Sequence, residues 1–201
     1  MSQALQQLIK YTAEDDISSE LENPNEEVLK LEQFNGLNRK AVALKAQPIV
    51  VSLNKVIENG IWVLVAMFDK CNNAKSISQG SVGIVKAGYK IPCPCIQSKE
   101  KLENMISYTG DGIVYYKQLQ TLGNAQFKDG QQITLELNME AGTLRFLVEG
   151  IPQIVNIRGI KEPVKFQCEI KNLNSSFVIL QFRKVSTPIL KSGLNEKSIN
   201  W

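Results

Sequence analysis

The thiols are the first residues to weigh for chemistry. Cys93-Pro94-Cys95 holds two of them within three residues, while Cys71 and Cys168 stand far away on either side. A redox dithiol is normally spaced by two residues at a helix start, where the helix dipole lowers one thiol pKa. Here the pair sits among prolines. A four-thiolate zinc site is built from two close pairs, and Cys71 and Cys168 supply no second pair. Free thiols in a reducing compartment is therefore the reading, with no metal and no cofactor expected. The chain contains no histidine. That removes Ser-His-Asp and Cys-His catalysis, His-ligated zinc and the usual proton shuttle near neutral pH. Asp111 and Glu136 could be paired as in a glycosidase, yet nothing in the sequence brings them to one cleft. Gly80-Ser81-Val82-Gly83 and Gly110-Asp111-Gly112 lack the Lys-Ser/Thr or the full glycine pattern of a phosphate loop, so they read as turns. No catalytic residue is assigned.

Recognition is the remaining chemistry, and the tyrosines are its carriers. Tyr89, Tyr108, Tyr115 and Tyr116 all fall in or beside expected loops, with Asp111 in the turn between the second and the third. Tyrosine offers a large contact area at low entropic cost. Core or rim packing is the competing reading, and one of Tyr115 and Tyr116 must point inward if their segment is a strand.

The elements that hold these residues follow from periodicity. Ile133, Leu135 and Leu137 alternate with polar neighbours, Met139–Thr143 turns the chain, and Leu144, Phe146 and Val148 alternate again. That is a hairpin with one buried face. Further strands are expected around Val42–Leu44, Ile49–Leu53, Ser81–Val85, Ile113–Tyr116, Gln153–Ile157 and Lys165–Ile170. Glu58-Asn59-Gly60 predicts a hairpin turn into Ile61–Phe68. Ile61–Phe68 and Phe177–Val185 are apolar on both faces, so each should be covered twice. Lys86–Glu103 reads as a long irregular connection of the kind that often carries binding.

Before residue 39 the reading is helical. Ser2–Tyr11, Asp16–Glu22 and Glu26–Phe34 lean to helix, with Asn25 as an N-cap and Asn35-Gly36 as a stop. These helices are the natural cover for the outer sheet face. Residues 1–36 carry net −6 and the remainder +9, so an acidic arm lies beside a basic body and can fold back on it or bind separate partners. The basic residues are scattered and nearly all Lys, with no Arg–aromatic platform, so nucleic acid is not an expected partner. The longest apolar run, Ile61–Phe68, is too short for a membrane span, and the start of the chain has no signal-peptide pattern. A cytoplasmic or nuclear location is expected. Residues 187–201 read as a polar tail whose Ile199 and Trp201 are either anchored or frayed.

The run Gly110-Asp111-Gly112-Ile113-Val114-Tyr115-Tyr116, then Asp129-Gly130, Ile133–Asn138, Gly142-Thr143-Leu144-Arg145-Phe146 and Glu149-Gly150, resembles the core of the SPRY (B30.2-type) domain. The likeness can be followed over Lys40–Lys184, with Asn138 where the family usually has Asp and Glu149-Gly150 where it usually has Asn-Gly. It implies an all-β, two-sheet antiparallel sandwich spanning residues 39–186, behind a helical N-terminal segment (1–38). It also implies a non-catalytic protein-interaction module whose loops bind a protein or peptide. The residues expected there, Tyr89, Tyr108, Asp111, Tyr115 and Tyr116, follow from their place in or beside the expected loops and not from the resemblance. The alternatives are a structural subunit of a large assembly and a lectin-like carbohydrate binder. A carboxylate hydrolase comes last.

Overall fold

The computed structural model describes residues 14–190 and 196–201. The expected helix over Ser2–Tyr11 lies outside them. In chain order the strands are β1 (Leu29–Phe34), β2 (Leu37–Ala43), β3 (Ile49–Ser52), β4 (Ile61–Asp69) and β5 (Ser81–Lys86). The helix α1 (Lys99–Asn104) follows, then β6 (Met105–Thr109), β7 (Ile113–Tyr116), β8 (Leu119–Leu122), β9 (Gln132–Asn138) and β10 (Thr143–Val148). Last come β11 (Ile151–Pro152), β12 (Val155–Arg158), β13 (Val164–Ile170), β14 (Ser176–Val185) and β15 (Lys197–Asn200). The larger sheet runs β1-β2-β14-β4-β9-β10-β12-β15, with β11 on β10, and the smaller runs β3-β13-β5-β6-β7-β8. Every pairing is antiparallel except β12 with β15. The fold is thus the expected β-sandwich.

The two sheets face each other across one apolar core. Trp62, Leu64, Ala66 and Phe68 of β4 meet Ile84, Ile106 and Phe166 of the smaller sheet there. Alternation sets this directly, because every second side chain of a strand points to one face. The β9–β10 hairpin has the expected register, with Leu135 opposite Phe146 and Leu137 opposite Leu144. Asn138 caps its turn by accepting from the backbone N–H groups of Glu140 and Ala141, both at 3.0 Å.

The N-terminal helices are overturned wherever the chain is described. Glu26–Phe34 is a turn followed by β1, and Asn35-Gly36 is a hairpin turn to β2 with φ of 51° and 82°. Both values are left-handed, as the tightest β-hairpin turn requires. Asn59-Gly60, with the same dipeptide, is not a hairpin: β4 pairs β14 and β9, and the preceding Ile57 bridges to Val164. Asp16–Glu22 is not helical: it turns at Ile17-Ser18 and then runs extended past a bridge from Leu21 to Leu53.

That extended stretch closes the open side of the sandwich between β2 and β3. The Leu21 N–H donates to Asn38 O at 2.9 Å, and the Glu22 N–H to Ser52 O at 2.9 Å. Leu21 enters the core. Acids of the arm meet bases of the body: Asp15 pairs with buried Arg39, Asp16 with Lys55 at 3.4 Å, and Glu22 with Lys165 at 2.8 Å. So the acidic segment folds back on the body. Arg39→Leu is expected to cost roughly 2 kcal/mol, because the guanidinium also satisfies the Ser19 and Asp16 carbonyls. A Glu-specific protease should then cut at Glu20 and Glu22 faster; an unchanged cleavage rate would disprove the anchoring role.

The outer face of the larger sheet is covered from the other end of the chain. Ile61, Val63, Val65 and Val185 form a second apolar cluster with Leu180 and Ile189. Beside it, the buried carboxylate of Glu136 accepts from the N–H groups of Ile189 and Leu190. Burial pushes the Glu136 pKa up, against those two bonds and the Arg145 charge. Arg145 donates to Leu190 O at 3.3 Å, and residues 197–200 form β15, with Trp201 flat against Tyr116. The tail is anchored. Among the described residues no helix is long and apolar enough to cross a membrane.

Candidate functional site

The outer face of the smaller sheet is only partly covered. Where the sequence reads as a long irregular connection, Lys86–Glu103, Ser98 caps the helix α1 by accepting from the Lys101 N–H at 3.1 Å. Its preceding loop lays Tyr89, Ile91 and Cys95 over Val50, Val85 and Met105. Beyond that lid the strands carry polar outward side chains. Ser107 and Thr109 come from β6, Tyr115 from β7 and Glu169 from β13. The loop 73–80 forms the far wall of a groove of about 300 Å³, with Asn73 and Gln79 facing Gln97 and Lys101.

A buried ion pair forms the wall of this groove. Lys101 Nζ lies 2.9 Å from Glu169 Oε2, and both side chains are 6% exposed. Nζ also donates to Cys95 O at 3.2 Å, which ties the lid loop to the sheet through one ammonium. Lys171 reaches the other carboxylate oxygen at 3.4 Å. Two cations share one anion, so this end of the groove is positive. The opposite end holds Asp111, which accepts from the Thr109 hydroxyl and from the Ile113 N–H. Burial and the Asp111 charge both raise the Tyr115 phenol pKa. Asn73 folds its own loop by accepting from the N–H groups of Lys75 and Ile77 at 2.8 and 3.2 Å.

The five residues expected at the site are thus divided. Asp111 and Tyr115 line the groove together. Tyr89 lies at the other end of the same sheet face, in a smaller hollow of about 250 Å³ beside Glu22 and Lys165. Tyr108 is wholly buried, packs against Phe127 and Phe146, and donates its hydroxyl to Ala125 O. It is a core residue, inaccessible to a partner. Tyr116 points inward and is covered by Trp201, with ring centroids 5.1 Å apart.

Lys101, Glu169 and Lys171 went unseen from sequence. For Glu169 and Lys171 the signal was the polar phase Lys165, Gln167, Glu169, Lys171 opposite the apolar phase Phe166, Cys168, Ile170; Lys101 had none. The two carboxylates weighed as a pair lie on different sheets, Glu136 on β9 and Asp111 in the β6–β7 turn. Cys71 and Cys168 belong to the main core, where burial raises both thiols, that of Cys71 to about 12. Cys95 lies in the lid cluster. Cys93 packs on the edge of the main core, and among the described residues no three Cys, Asp or Glu side chains come together as metal ligands would.

No family model and no curated protein matches the sequence. Solved structures match its shape. The SPRY domain of human HERC1 superposes with a TM-score of 0.59 at 16% identity, over 82% of this chain and 99% of that one. The TRIM65 PSpry domain gives 0.64 at 7% identity, over 90% and 96%. Stonustoxin gives 0.59 at 16% identity over 81% of this chain, which corresponds to 27% of the toxin chain. The fold is of the SPRY type.

Proposed function

With that fold as premise, we propose that the chain is a protein-interaction module that binds an extended segment of a partner polypeptide in the groove beside Tyr115. The observation that carries the reading is the groove itself, polar yet built on paired strands and a buried Lys101–Glu169 pair. Such a surface is preformed, so little ordering is lost on binding. Gln97 can both donate and accept, and the amide NH2 groups of Asn73 and Gln79, whose oxygens are already bonded within the chain, can donate to the C=O groups of an extended backbone. The Lys171 and Asp111 ends give the ligand a direction. Binding, not catalysis, is the activity in this reading, and the four free cysteines suit a cytoplasmic or nuclear setting.

Peptides selected on the purified chain from a random library test it. Tyr115→Ala and Lys171→Glu should each weaken binding about tenfold, the loss typical of an aromatic or charged anchor, without lowering the melting temperature. Tyr89→Ala should leave it unchanged. Peptides indifferent to Tyr115 and lost with Tyr89 would move the site to the other hollow and end this assignment.

A further inference from the structure

The tail is held as a bound peptide is held. Glu196 enters first, its carboxylate taking bonds from Asn156 Nδ2 at 2.9 Å and Arg158 Nη2 at 3.3 Å, with Arg145 Nη2 also at 3.3 Å. The backbone then adds to the edge of the larger sheet, with the Lys197 N–H donating to Ile154 O and the Trp201 N–H to Arg158 O, both at 2.8 Å. Trp201 completes the contact. Its ring lies parallel to Tyr116, its Nε1–H donates to Glu162 Oε1 at 2.8 Å, and Lys86 Nζ stands 5.8 Å from its centroid. Between these anchors Lys197, Ser198 and Asn200 are exposed.

The pairing has two unusual features. It is parallel, in sheets otherwise antiparallel, and no short turn fixes its register, since β15 follows β14 only after residues 186–196. A strand joined by a tight hairpin is set by its turn; this one is set by its side-chain anchors. The receptor surface, by contrast, is built into the sandwich: Arg145 from β10, Asn156 and Arg158 from β12, Tyr116 from β7.

We propose that this edge is a second peptide-recognition site, which the chain fills with its own residues 196–201 and which a partner segment of matching chemistry takes by strand exchange. The matching chemistry is a carboxylate followed five residues later by an aromatic ring. Strand geometry dictates the spacing. Glu196 and Ser198 point to the outer face, where they meet Asn156, while Ile199 and Trp201 point inward to the core and Tyr116. Successive residues alternate faces, so only an odd separation puts the acid outside and the ring inside. Five residues span about 16 Å of strand, the reach between the carboxylate held by the arginines and the ring stacked on Tyr116. The tethered tail competes at millimolar effective concentration, so a free peptide binds the unaltered chain weakly.

A fluorescent, end-capped peptide of residues 196–201 tests the site on the full chain. Glu196→Ala/Trp201→Ala, which weakens the resident tail, should bind this peptide at least tenfold more tightly than the unaltered chain does. A peptide with one residue inserted between Glu and Trp should lose that gain. A double variant that still unfolds cooperatively but ignores the peptide, or binds both spacings alike, overturns the proposal. Tail exchange between two copies, seen as a dimer of the unaltered chain, would assign the edge to self-association and overturn it too. Hydrogen exchange on the unaltered chain reads the same question without a variant. The amides of Ile199 and Trp201 should open at least a hundredfold faster than those of β4 and β9, and opening in step with them rules exchange out. Failure here leaves the Tyr115 groove untouched, because the two sites share no residue.

Discussion

Replacing Glu169 by leucine is expected to destabilise the chain by about 3–5 kcal/mol, while Lys101→Met/Glu169→Leu returns to within about 1 kcal/mol of the original. The asymmetry follows from burial. The Lys101 ammonium is almost out of water and its partners are one carboxylate and one carbonyl. Remove the carboxylate alone and a desolvated charge remains, held by a neutral oxygen. Remove both and the space fills with apolar atoms beside Met105 and Leu102, which already line this wall. Lys171, which reaches Glu169 from a half-exposed position, returns to solvent at little cost. Denaturant midpoints of the two singles and the double measure the cycle. If Glu169→Leu proves no costlier than the double variant, the pair is not holding α1 and its loop against the sheet. The cycle also bears on function. The single variant should loosen the groove wall and lose peptide, whereas the double should keep the shape and, through Lys171, the net positive charge of this end, and so keep peptide.

Much of this architecture was legible because one face of each strand is dry. Ile133–Asn138 and Leu144–Val148 alternate cleanly, and their register followed from the short turn between them. Double-sided burial of Ile61–Phe68 was readable for the same reason, but what covers it was not. The helical reading of Glu26–Phe34 rested on Val28, Leu31 and Phe34 at intervals of three, a pattern that a short apolar strand with a turn before it also yields. The decisive signal there was Asn35-Gly36, taken for a helix stop although the dipeptide is as apt for a hairpin. At Asn59-Gly60 the same dipeptide misled in the opposite sense, since the segment before it crosses to Val164 of the other sheet. The β7–β8 hairpin offered no signal: Lys117 and Gln118 take φ of 47° and 64° without glycine or asparagine. Long-range contacts of this kind decide where a turn leads, and local pattern does not contain them.

The site shows the same division. Tyr115 and Asp111 line one groove because the turn at Gly110-Asp111-Gly112 leads into a strand whose Tyr115 points outward. Tyr108 was misplaced although its phase was readable, since Ile106 and Tyr108 alternate with Ser107 and Thr109. Trp201 was left between two readings because its partner, Tyr116, lies 85 residues away in sequence and on the other sheet. The Lys101–Glu169 pair joins a helix cap region to a distant strand, and no spacing rule connects those.

Gly83→Ala is expected to cost about 3–5 kcal/mol, most of what one methyl can do in a well-packed sheet. Gly83 lies in β5 between Gln167 of β13 and Ser107 of β6. An added Cβ would stand 1.9 Å from Ile106 O and 3.0 Å from Gln167 Nε2, far inside contact distance. The carbonyl is backbone of a paired strand, so it cannot step aside without disturbing the ladder. The amide is no freer: Gln167 Nε2 crosses over the glycine to donate to Ile106 O at 3.1 Å and to Ser107 Oγ at 3.2 Å. Displacing it leaves a buried amide without its acceptors, which adds a desolvation cost of about 1–3 kcal/mol to the steric one. Gly88 is the control. Nothing lies within 4 Å of a Cβ placed there, so Gly88→Ala should be neutral or gain roughly 0.5 kcal/mol from a stiffer unfolded chain. At about 2–4 °C per kcal/mol for a chain of this size, the two alanines should separate by about 10 °C in melting temperature. Because Ser107 and Glu169 flank the affected strands on the groove side, Gly83→Ala should also lose selected peptides before it unfolds. If the two alanine variants melt together, the smaller sheet is not drawn tight at this glycine, and the rigidity ascribed to the groove floor goes with it.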